Sequence, residues 1–298
     1  MKFTYFNDIY KAASVNSKDG TVIKYWQIGQ GPGVVLIHGG MESAQSHIEL
    51  AEALASHFTV YLYSRRGHGH SGPYARTHNM QKEMEDLGAV LAKTGTHTIF
   101  GVSTGGLIAL EATRALPSIE KAIIYEPGLP LSKTVPPLDW LKEYDRMMAE
   151  GTIAKAMVFA MKETEMGPPF MRAIPSRLLE AMTRWQFSVE RKSAPEGYVK
   201  WDVLSHTLHN DVSLFIEMRE RPDGTPEAFK NVSAQILLMG GSDSPAFQTA
   251  SVDALEKVLP HVRRVIIPGV AHGGSGNSNM GGKPTLVAEE IYKFIQQG

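Results

Sequence analysis

The sequence predicts an α/β fold with a mostly parallel eight-stranded sheet, flanked by helices and interrupted by an inserted helical cap. Short apolar runs such as Val34–Ile37 alternate with helical patterns, and repeated β-α-β units are typical of a parallel sheet. The runs are continuously apolar, which predicts strands that are buried on both faces. The strand signal stops between residues 128 and 226, where only helical patterns remain.

The predicted elements follow one another in a regular order. The chain opens with two strands, Tyr10–Ser17 and Val22–Ile28, and the turn signal Asp19-Gly20 between them indicates an antiparallel hairpin. The other strands are predicted at Val34–Ile37, Val60–Tyr63, His97–Val102, Lys121–Tyr125, Ala234–Met239 and Arg264–Ile267. Helices are predicted at His47–Ser56, Met80–Lys93, Thr104–Ala115, Pro245–Leu259 and Pro284–Gln297. In the insertion, helical patterns at Leu138–Glu150 and Arg177–Arg191 flank Gly-Pro-Pro at 167–169.

We expect residues 1–127 and 227–298 to form the core and residues 128–226 to form the cap. The cap segment holds eight of the fourteen methionines and three of the four tryptophans. Methionine adapts to irregular shapes and tryptophan offers a large contact area, so this composition predicts a cap that covers an apolar small-molecule substrate. Packing of the cap's own core explains the same composition, and both interpretations stay open.

The overall composition excludes several classes of protein. With 43% hydrophobic and 20% charged residues, the chain is neither disordered nor fibrous. A formal net charge of -1 gives no global field that favours nucleic acid or an anionic membrane as a partner. The chain has no cysteine, which excludes disulfides, thiolate nucleophiles and cysteine-ligated metals. No secretory or transmembrane pattern is found, so we expect a cytoplasmic protein. The composition leaves a homo-oligomer open.

A candidate nucleophile, Ser103, lies where an apolar strand turns directly into a helix. The surrounding sequence, Gly101-Val102-Ser103-Thr104-Gly105-Gly106, satisfies the pattern G-x-S-x-G. A sharp turn of this kind strains the backbone of the central serine and lifts its hydroxyl above the sheet, while the glycines make room for neighbouring backbone. The helix that begins at Thr104 points unpaired N–H groups toward any oxyanion that forms at Ser103.

With these motifs the chain resembles serine hydrolases of the α/β-hydrolase superfamily, and the resemblance covers nearly all of it except the details of the cap. His38-Gly39-Gly40 follows the third strand, where the family places part of its oxyanion hole. The resemblance therefore implies that the backbone amides of Gly40 and Thr104 stabilise the oxyanion. A second glycine-rich turn, residues 64–71, also matches the family, although Ser64 stands where the family usually has Asp.

The resemblance places the catalytic base at His272, in the loop that follows the last strand. Serine needs an imidazole with a pKa of about 6.5 to accept and return its proton. Two carboxylates, Glu126 and Asp243, occupy positions where this superfamily puts the acid that orients the base. In the alternative interpretation of Asp243, either Asp243 or Ser244 caps the helix that Pro245 begins. Tyr125-Glu126-Pro127 resembles hydrolases with a glutamate after the sixth strand, zearalenone lactonases among them, and this favours Glu126.

The resemblance implies hydrolysis of a carboxylic ester or lactone of an apolar molecule through an acyl-Ser103 intermediate, without a metal or an organic cofactor. The same triad performs carbon–carbon bond hydrolysis and cofactor-free perhydrolysis in this superfamily, so these activities remain alternatives. A third hypothesis is a ligand receptor that keeps the pocket without turnover. Epoxide hydrolases and haloalkane dehalogenases of this fold place Asp at the position of Ser103, which disfavours their chemistry.

Overall fold

The computed structural model describes residues 3–131, 139–164, 171 and 173–297. It contains a single eight-stranded sheet with the strand order β1-β2-β4-β3-β5-β6-β7-β8. The strands are β1 (Lys11–Asn16), β2 (Val22–Ile28), β3 (Gly33–Ile37), β4 (Thr59–Tyr63), β5 (Thr98–Val102), β6 (Lys121–Tyr125), β7 (Gln235–Gly241) and β8 (Val262–Ile267). β1 and β2 pair antiparallel to their neighbours, and all other pairs are parallel. The predicted fold class is confirmed.

The burial of each strand follows its place in the sheet. The central strands β3, β5 and β6 are buried at every residue except their first. Such strands carry side chains into a core on both faces, which explains why they appear in the sequence as unbroken apolar runs. β1 lies at an edge of the sheet and is largely exposed, in keeping with its polar composition.

Helices cover both faces of the sheet. In chain order, the helices of the described residues are α1 (Ile48–Leu54), α2 (Met80–Thr94), α3 (Thr104–Ala115), α4 (Trp140–Ala149), α5 (Ile153–Glu163), α6 (Ser176–Ser193), α7 (Trp201–Leu204), α8 (Leu208–Glu220), α9 (Ala246–Glu256) and α10 (Pro284–Gln296). One core cluster joins the sheet to α2, α3 and α9, and a second joins its other face to α1 and α10. Burial of these two apolar faces is the main stabilising contribution to the fold.

The described part of the chain between β6 and β7 is helical and has an apolar cluster of its own. Trp140, Tyr144 and Met147 of α4 pack there with Val212 of α8. α8 also contributes Leu214 and Met218 to a core cluster of the sheet, so this helix belongs to both cores. The boundaries predicted for the cap stay a prediction, and the Gly-Pro-Pro at 167–169 lies outside the described residues.

Helix α3 approaches the loop after β3 so closely that one of its residues has no room for a side chain. A Cβ atom on Gly105 would lie 2.3 Å from the carbonyl oxygen of Ile37 and 2.4 Å from that of His38. Both oxygens belong to the backbone and cannot rotate away as a side chain could.

None of the helices in the described ranges is both long and apolar enough to cross a bilayer.

The replacement Gly105→Ala is expected to lower the free energy of unfolding by about 1–3 kcal/mol, because the added methyl group overlaps two backbone oxygens. Gly88→Ala in α2 is the matched control. The nearest atom to a Cβ at Gly88 is 3.9 Å away, so alanine should stabilise the helix by about 0.5–1 kcal/mol. Urea unfolding of both variants measures the two effects. Equal stabilities would contradict the close packing of α3 on β3.

Candidate active site

The residues predicted to act together follow neighbouring strands of the sheet. Parallel strands present their carboxyl ends at one edge, which is where α/β proteins bind ligands. Ser103, Glu126 and His272 come after β5, β6 and β8, and the loop with Gly40 follows β3. Pairing of Val102 with Tyr125, and of Tyr125 with Met239, brings the ends of β5, β6 and β7 level with one another. The fold therefore gathers residues that lie far apart in the sequence.

Ser103 occupies a strained turn between β5 and α3. Its φ angle is 55°, in the left-handed region that side chains rarely adopt. The Ser103 amide donates a hydrogen bond to the carbonyl of Tyr125 at 3.0 Å, which ties the turn to β6. A Cβ on Gly101 would lie 2.2 Å from the carbonyl oxygen of Gly105, so the glycine two residues before the serine is required by the turn.

Glu126 and His272 form a hydrogen-bonded pair. His272 Nδ1 lies 2.6 Å from Glu126 Oε2, and Glu126 Oε1 accepts the backbone N–H of Gly241 at 2.7 Å. The glutamate side chain is 1% exposed and the histidine side chain 13% exposed. When Nδ1 carries the proton and donates a hydrogen bond to the carboxylate, Nε2 is unprotonated and can accept a proton. This is the arrangement that a general base requires.

Asp243, the other candidate acid, forms no hydrogen bond or ion pair with the imidazole among the described residues. It is exposed, and its Oδ1 accepts a hydrogen bond from Ser242 Oγ at 2.8 Å. The prediction that it caps the following helix is wrong. Pro245 is the N-cap residue of α9, and the described residues make no side-chain cap bond there. The Asp243 amide donates to the carbonyl of Val270 at 3.0 Å. This bond ties the backbone of Asp243 to the loop that follows β8.

The two predicted oxyanion donors lie side by side. A Cβ on Gly40 would be 3.1 Å from Thr104 Oγ1, so the loop after β3 and the start of α3 are in contact. Among the described residues, neither the Gly40 amide nor the Thr104 amide donates a hydrogen bond to another group. The neighbouring amide of Gly39 is occupied, because it donates to Glu42 Oε2 at 2.7 Å. Two free amides beside Ser103 can donate hydrogen bonds to a ligand oxygen.

Three non-glycine residues with positive φ angles are found in the described chain, and all belong to this edge of the sheet. They are Met41, Ser103 and Glu126, with φ angles of 54°, 55° and 44°. Each such conformation costs on the order of 1–3 kcal/mol and persists only where the surroundings enforce it. Their concentration beside one another marks this edge as the candidate functional site independently of any motif.

Glu42 and His47 form an ion pair next to the oxyanion loop that the sequence did not indicate. His47 Nε2 lies 3.0 Å from Glu42 Oε2, and His47 Nδ1 lies 2.9 Å from the carbonyl of Ser275, in the loop that carries His272. Burial opposes ionisation of both groups. Their mutual attraction nevertheless raises the pKa of His47 and lowers the pKa of Glu42 from the ordinary values. The pair thus links two loops of the site.

Gln248 of α9 is a further site residue that sequence analysis missed. Its side chain is buried, its Nε2 lies 3.5 Å from His272 Nε2, and its Oε1 has no hydrogen-bond partner. No hydrogen bond joins Ser103 Oγ to His272 in this part of the described chain. A glutamine in an amphipathic helix carries no sequence signal of its own.

No group of three or more potential metal ligands occurs among the described residues.

The Glu42–His47 pair generates a pH prediction. The contribution of Glu42 to stability is complete above its ordinary pKa of about 4.3 and is lost as the pH falls through its lowered pKa. The contribution of His47 is complete below about 6.5 and is lost as the pH rises through its raised pKa. Glu42→Gln should therefore cost most stability, about 1–3 kcal/mol, between pH of about 4.5 and 6.5.

Urea unfolding across the pH range measures this cost, with Glu289→Gln as the control. Glu289 lies exposed in α10, so its replacement should have little effect at any pH. A cost of Glu42→Gln that does not vary with pH would show that the pair is not ionised.

Comparison with known proteins places this geometry in a family. A region of 100 residues is 35% identical to a pimeloyl-(acyl-carrier protein) methyl ester esterase from Xylella fastidiosa, and it covers 32% of this chain and 36% of that protein. The chain spans only about a third of the length of the curated relatives it matches. The structure of an alpha/beta hydrolase from Sphaerobacter thermophilus is 29% identical, covers 85% of this chain and 91% of that chain, and has a TM-score of 0.69.

An esterase from a Rhodococcus species superposes with a TM-score of 0.61 over 96% of this chain and 98% of that chain. At 21% identity this likeness shows the fold alone. The model of the alpha/beta hydrolase family matches residues 34–290, which include every residue of the site described above. The chain therefore belongs to the alpha/beta hydrolase family.

Proposed function

We propose that this protein is a serine hydrolase that cleaves a carboxylic ester or lactone through an acyl-Ser103 intermediate. The observation that carries the proposal is the 2.6 Å contact between His272 Nδ1 and Glu126 Oε2, at the sheet edge where Ser103 stands on its strained turn. In this proposal His272 is the general base and Glu126 is the acid that orients it. Asp243 has no part in the chemistry, because its carboxylate is exposed and bonded to Ser242.

The proposed reaction proceeds in two steps, acylation of Ser103 and hydrolysis of the acyl group. Ser103 Oγ attacks the carbonyl carbon while His272 Nε2 takes the hydroxyl proton, and the amides of Gly40 and Thr104 bind the resulting oxyanion. The intermediate collapses, the alcohol leaves with the proton from His272, and the acyl group remains on Ser103. Water then attacks the acyl group with the same base, which releases the acid and restores the serine. Glu126 stabilises the imidazolium in both steps.

Neutral apolar esters fit the surroundings of the proposed oxyanion hole. Met41, next to Gly40, packs against a cluster of Ala154, Met157 and Phe187 from α5 and α6. Apolar side chains of the helical region thus reach the loop after β3, and they favour a substrate with an apolar acyl or alcohol part. Two tryptophans of this region lie elsewhere: Trp140 is buried in the cluster around α4, whereas Trp185 is exposed.

The named relatives support ester chemistry but not one substrate. The Xylella protein is named for a methyl ester, and its matched region covers only part of that protein. The resemblance of Tyr125-Glu126-Pro127 to zearalenone lactonases remains a prediction, and it adds lactones to the proposed class. A panel of p-nitrophenyl esters of graded chain length and of macrocyclic lactones separates the two. Turnover of the panel also distinguishes an esterase from a ligand receptor with the same fold.

Replacement of the nucleophile should abolish hydrolysis without loss of the fold. Ser103→Ala is expected to lower kcat by several orders of magnitude, because it removes the attacking oxygen. A fluorophosphonate probe should label the wild-type chain at Ser103, and His272→Ala should suppress that labelling. The measurements are initial rates of ester hydrolysis and mass spectrometry of the labelled peptide. Full activity of Ser103→Ala, or labelling of another residue, would contradict the assignment.

The two carboxylates provide a matched test of the acid. Glu126→Gln should lower kcat by about 10³–10⁴-fold, because an amide cannot stabilise the imidazolium and favours the wrong tautomer. Asp243→Asn makes the same change one strand further along and should leave kcat within about threefold of the wild type. Circular dichroism of both variants separates lost folding from lost catalysis. Similar losses in the two folded variants would remove Glu126 from its proposed role.

A further inference from the structure

Asp211 belongs to α8, in the helical region between β6 and β7, yet its carboxylate reaches the loop after β3. The Met41 amide donates to its Oδ2 at 3.0 Å, and Arg65 Nη1 donates to its Oδ1 at 2.9 Å. Thr207 Oγ1 also donates to Oδ2, at 3.1 Å. The Asp211 side chain is only 2% exposed. A single buried carboxylate therefore joins the helical region to the loop that carries Gly40.

The bond from Met41 acts on a strained part of this loop. Met41 has a φ angle of 54°, a conformation that a residue with a side chain keeps only when something holds it. The peptide plane between Gly40 and Met41 contains the N–H that Asp211 accepts, and the free Gly40 amide lies one peptide earlier. A Cβ on Gly40 would be 3.2 Å from Asp211 Oδ2 and 3.1 Å from Thr104 Oγ1. Asp211 is thus packed directly against Gly40.

A buried negative charge at this place would repel an oxyanion unless it were neutralised. His68 Nε2 lies 3.4 Å from Asp211 Oδ1, and the fully buried guanidinium of Arg65 offsets part of the charge, since it is shared with Glu83. Its other edge forms a two-point ion pair with Glu83, through Nε at 3.2 Å and Nη2 at 2.7 Å. Burial opposes ionisation of Asp211, but the charges of His68 and Arg65 outweigh burial and hold its pKa below the ordinary value. The carboxylate can accept hydrogen bonds without acting as an isolated charge.

We propose that Asp211 is a positioning residue, which holds the loop after β3 so that the Gly40 amide faces the oxyanion. Catalysis then depends on the position of α8 relative to that loop. The inference rests on the proposed function, because it assigns Gly40 a part in that reaction. Asp211 itself touches neither the substrate nor Ser103. Its effect should appear in the stabilisation of the tetrahedral intermediate and not in binding of the planar substrate.

Asp211→Asn tests this role, because it keeps the size of the side chain and leaves Arg65 paired with Glu83. We expect kcat to fall by about 10–100-fold while KM stays within about threefold, as for the weakening of one oxyanion donor. The affinity for phenylboronic acid, which forms a tetrahedral adduct on the serine, should fall by a similar factor. A residue that only stabilised the fold would change the melting temperature and leave both quantities unchanged in the folded protein.

Asp202→Asn is the matched control. Asp202 lies in α7 and pairs with Arg191 of α6 at 3.5 Å, so the same chemical change is made at another Asp–Arg pair of the helical region. Its kcat and boronate affinity should stay within about threefold of the wild type. If Asp211→Asn does not fold, Asp211→Ala removes the acceptor without placing an amide against Arg65, and the same losses are expected.

The outcomes separate the two proposals. A wild-type chain that neither hydrolyses the ester panel nor reacts with a fluorophosphonate would overturn the proposed function. An active wild type, together with a folded Asp211 variant of unchanged kcat and boronate affinity, would overturn the positioning role alone. Equal losses in the Asp202 and Asp211 variants would also overturn it, since the effect would then be a general one of the helical region.

Discussion

The buried carboxylate of Glu126 imposes the arrangement of three loops at once. A carboxylate that is 1% exposed needs partners for both oxygens, because burial of an unpaired charge is strongly unfavourable. One oxygen is satisfied by the Gly241 amide at the end of β7, and the other by His272 from the loop after β8. These loops must therefore close around the end of β6. The geometry of the candidate base is a consequence of this requirement, and so is the positive φ angle of Glu126, which turns the side chain toward its partners.

The parts of the fold that depend on local sequence could be predicted. Val22–Ile28, Thr104–Ala115 and Lys121–Tyr125 have the predicted bounds, because apolar runs and helical periodicity are encoded within each segment. Ser103 could be identified as a candidate for the same reason, since a strand, a turn and a helix follow one another in a few residues. His272 could be located only because the family resemblance supplies the chain order. Its place in the loop after β8 agrees with that expectation.

The choice between Glu126 and Asp243 could not be made from sequence in the same way. Each follows the end of a parallel strand by at most two residues, so both arrive at the same edge of the sheet. What separates them is the direction of the backbone, which the amide of Asp243 fixes by donating to Val270. The Asp211–Met41 bond spans 170 positions and was invisible for a related reason. Buried charged partners in different elements leave no periodic trace, and a polar residue in a helix usually indicates a solvated face.

Each strained residue of the site is held by a hydrogen bond from another element. The Ser103 amide bonds to the end of β6, the Glu126 amide bonds to Met239 of β7, and the Met41 amide bonds to Asp211 of α8. The first two bonds lie within the sheet, whose register is fixed by burial on both faces. The third bond joins the loop to α8, a helix inserted between β6 and β7, and no ladder of parallel-strand bonds supports it.

The bond from Met41 to Asp211 contributes only about 1–3 kcal/mol, which is similar to the cost of the strain that it offsets. A small displacement of α8 should therefore be sufficient to release the loop after β3. The nucleophile, the base and the acid would keep their positions in that event, while the proposed oxyanion hole would not. In this proposal, the helical region is the part of the fold through which sequence changes would alter catalysis without disturbing the sheet.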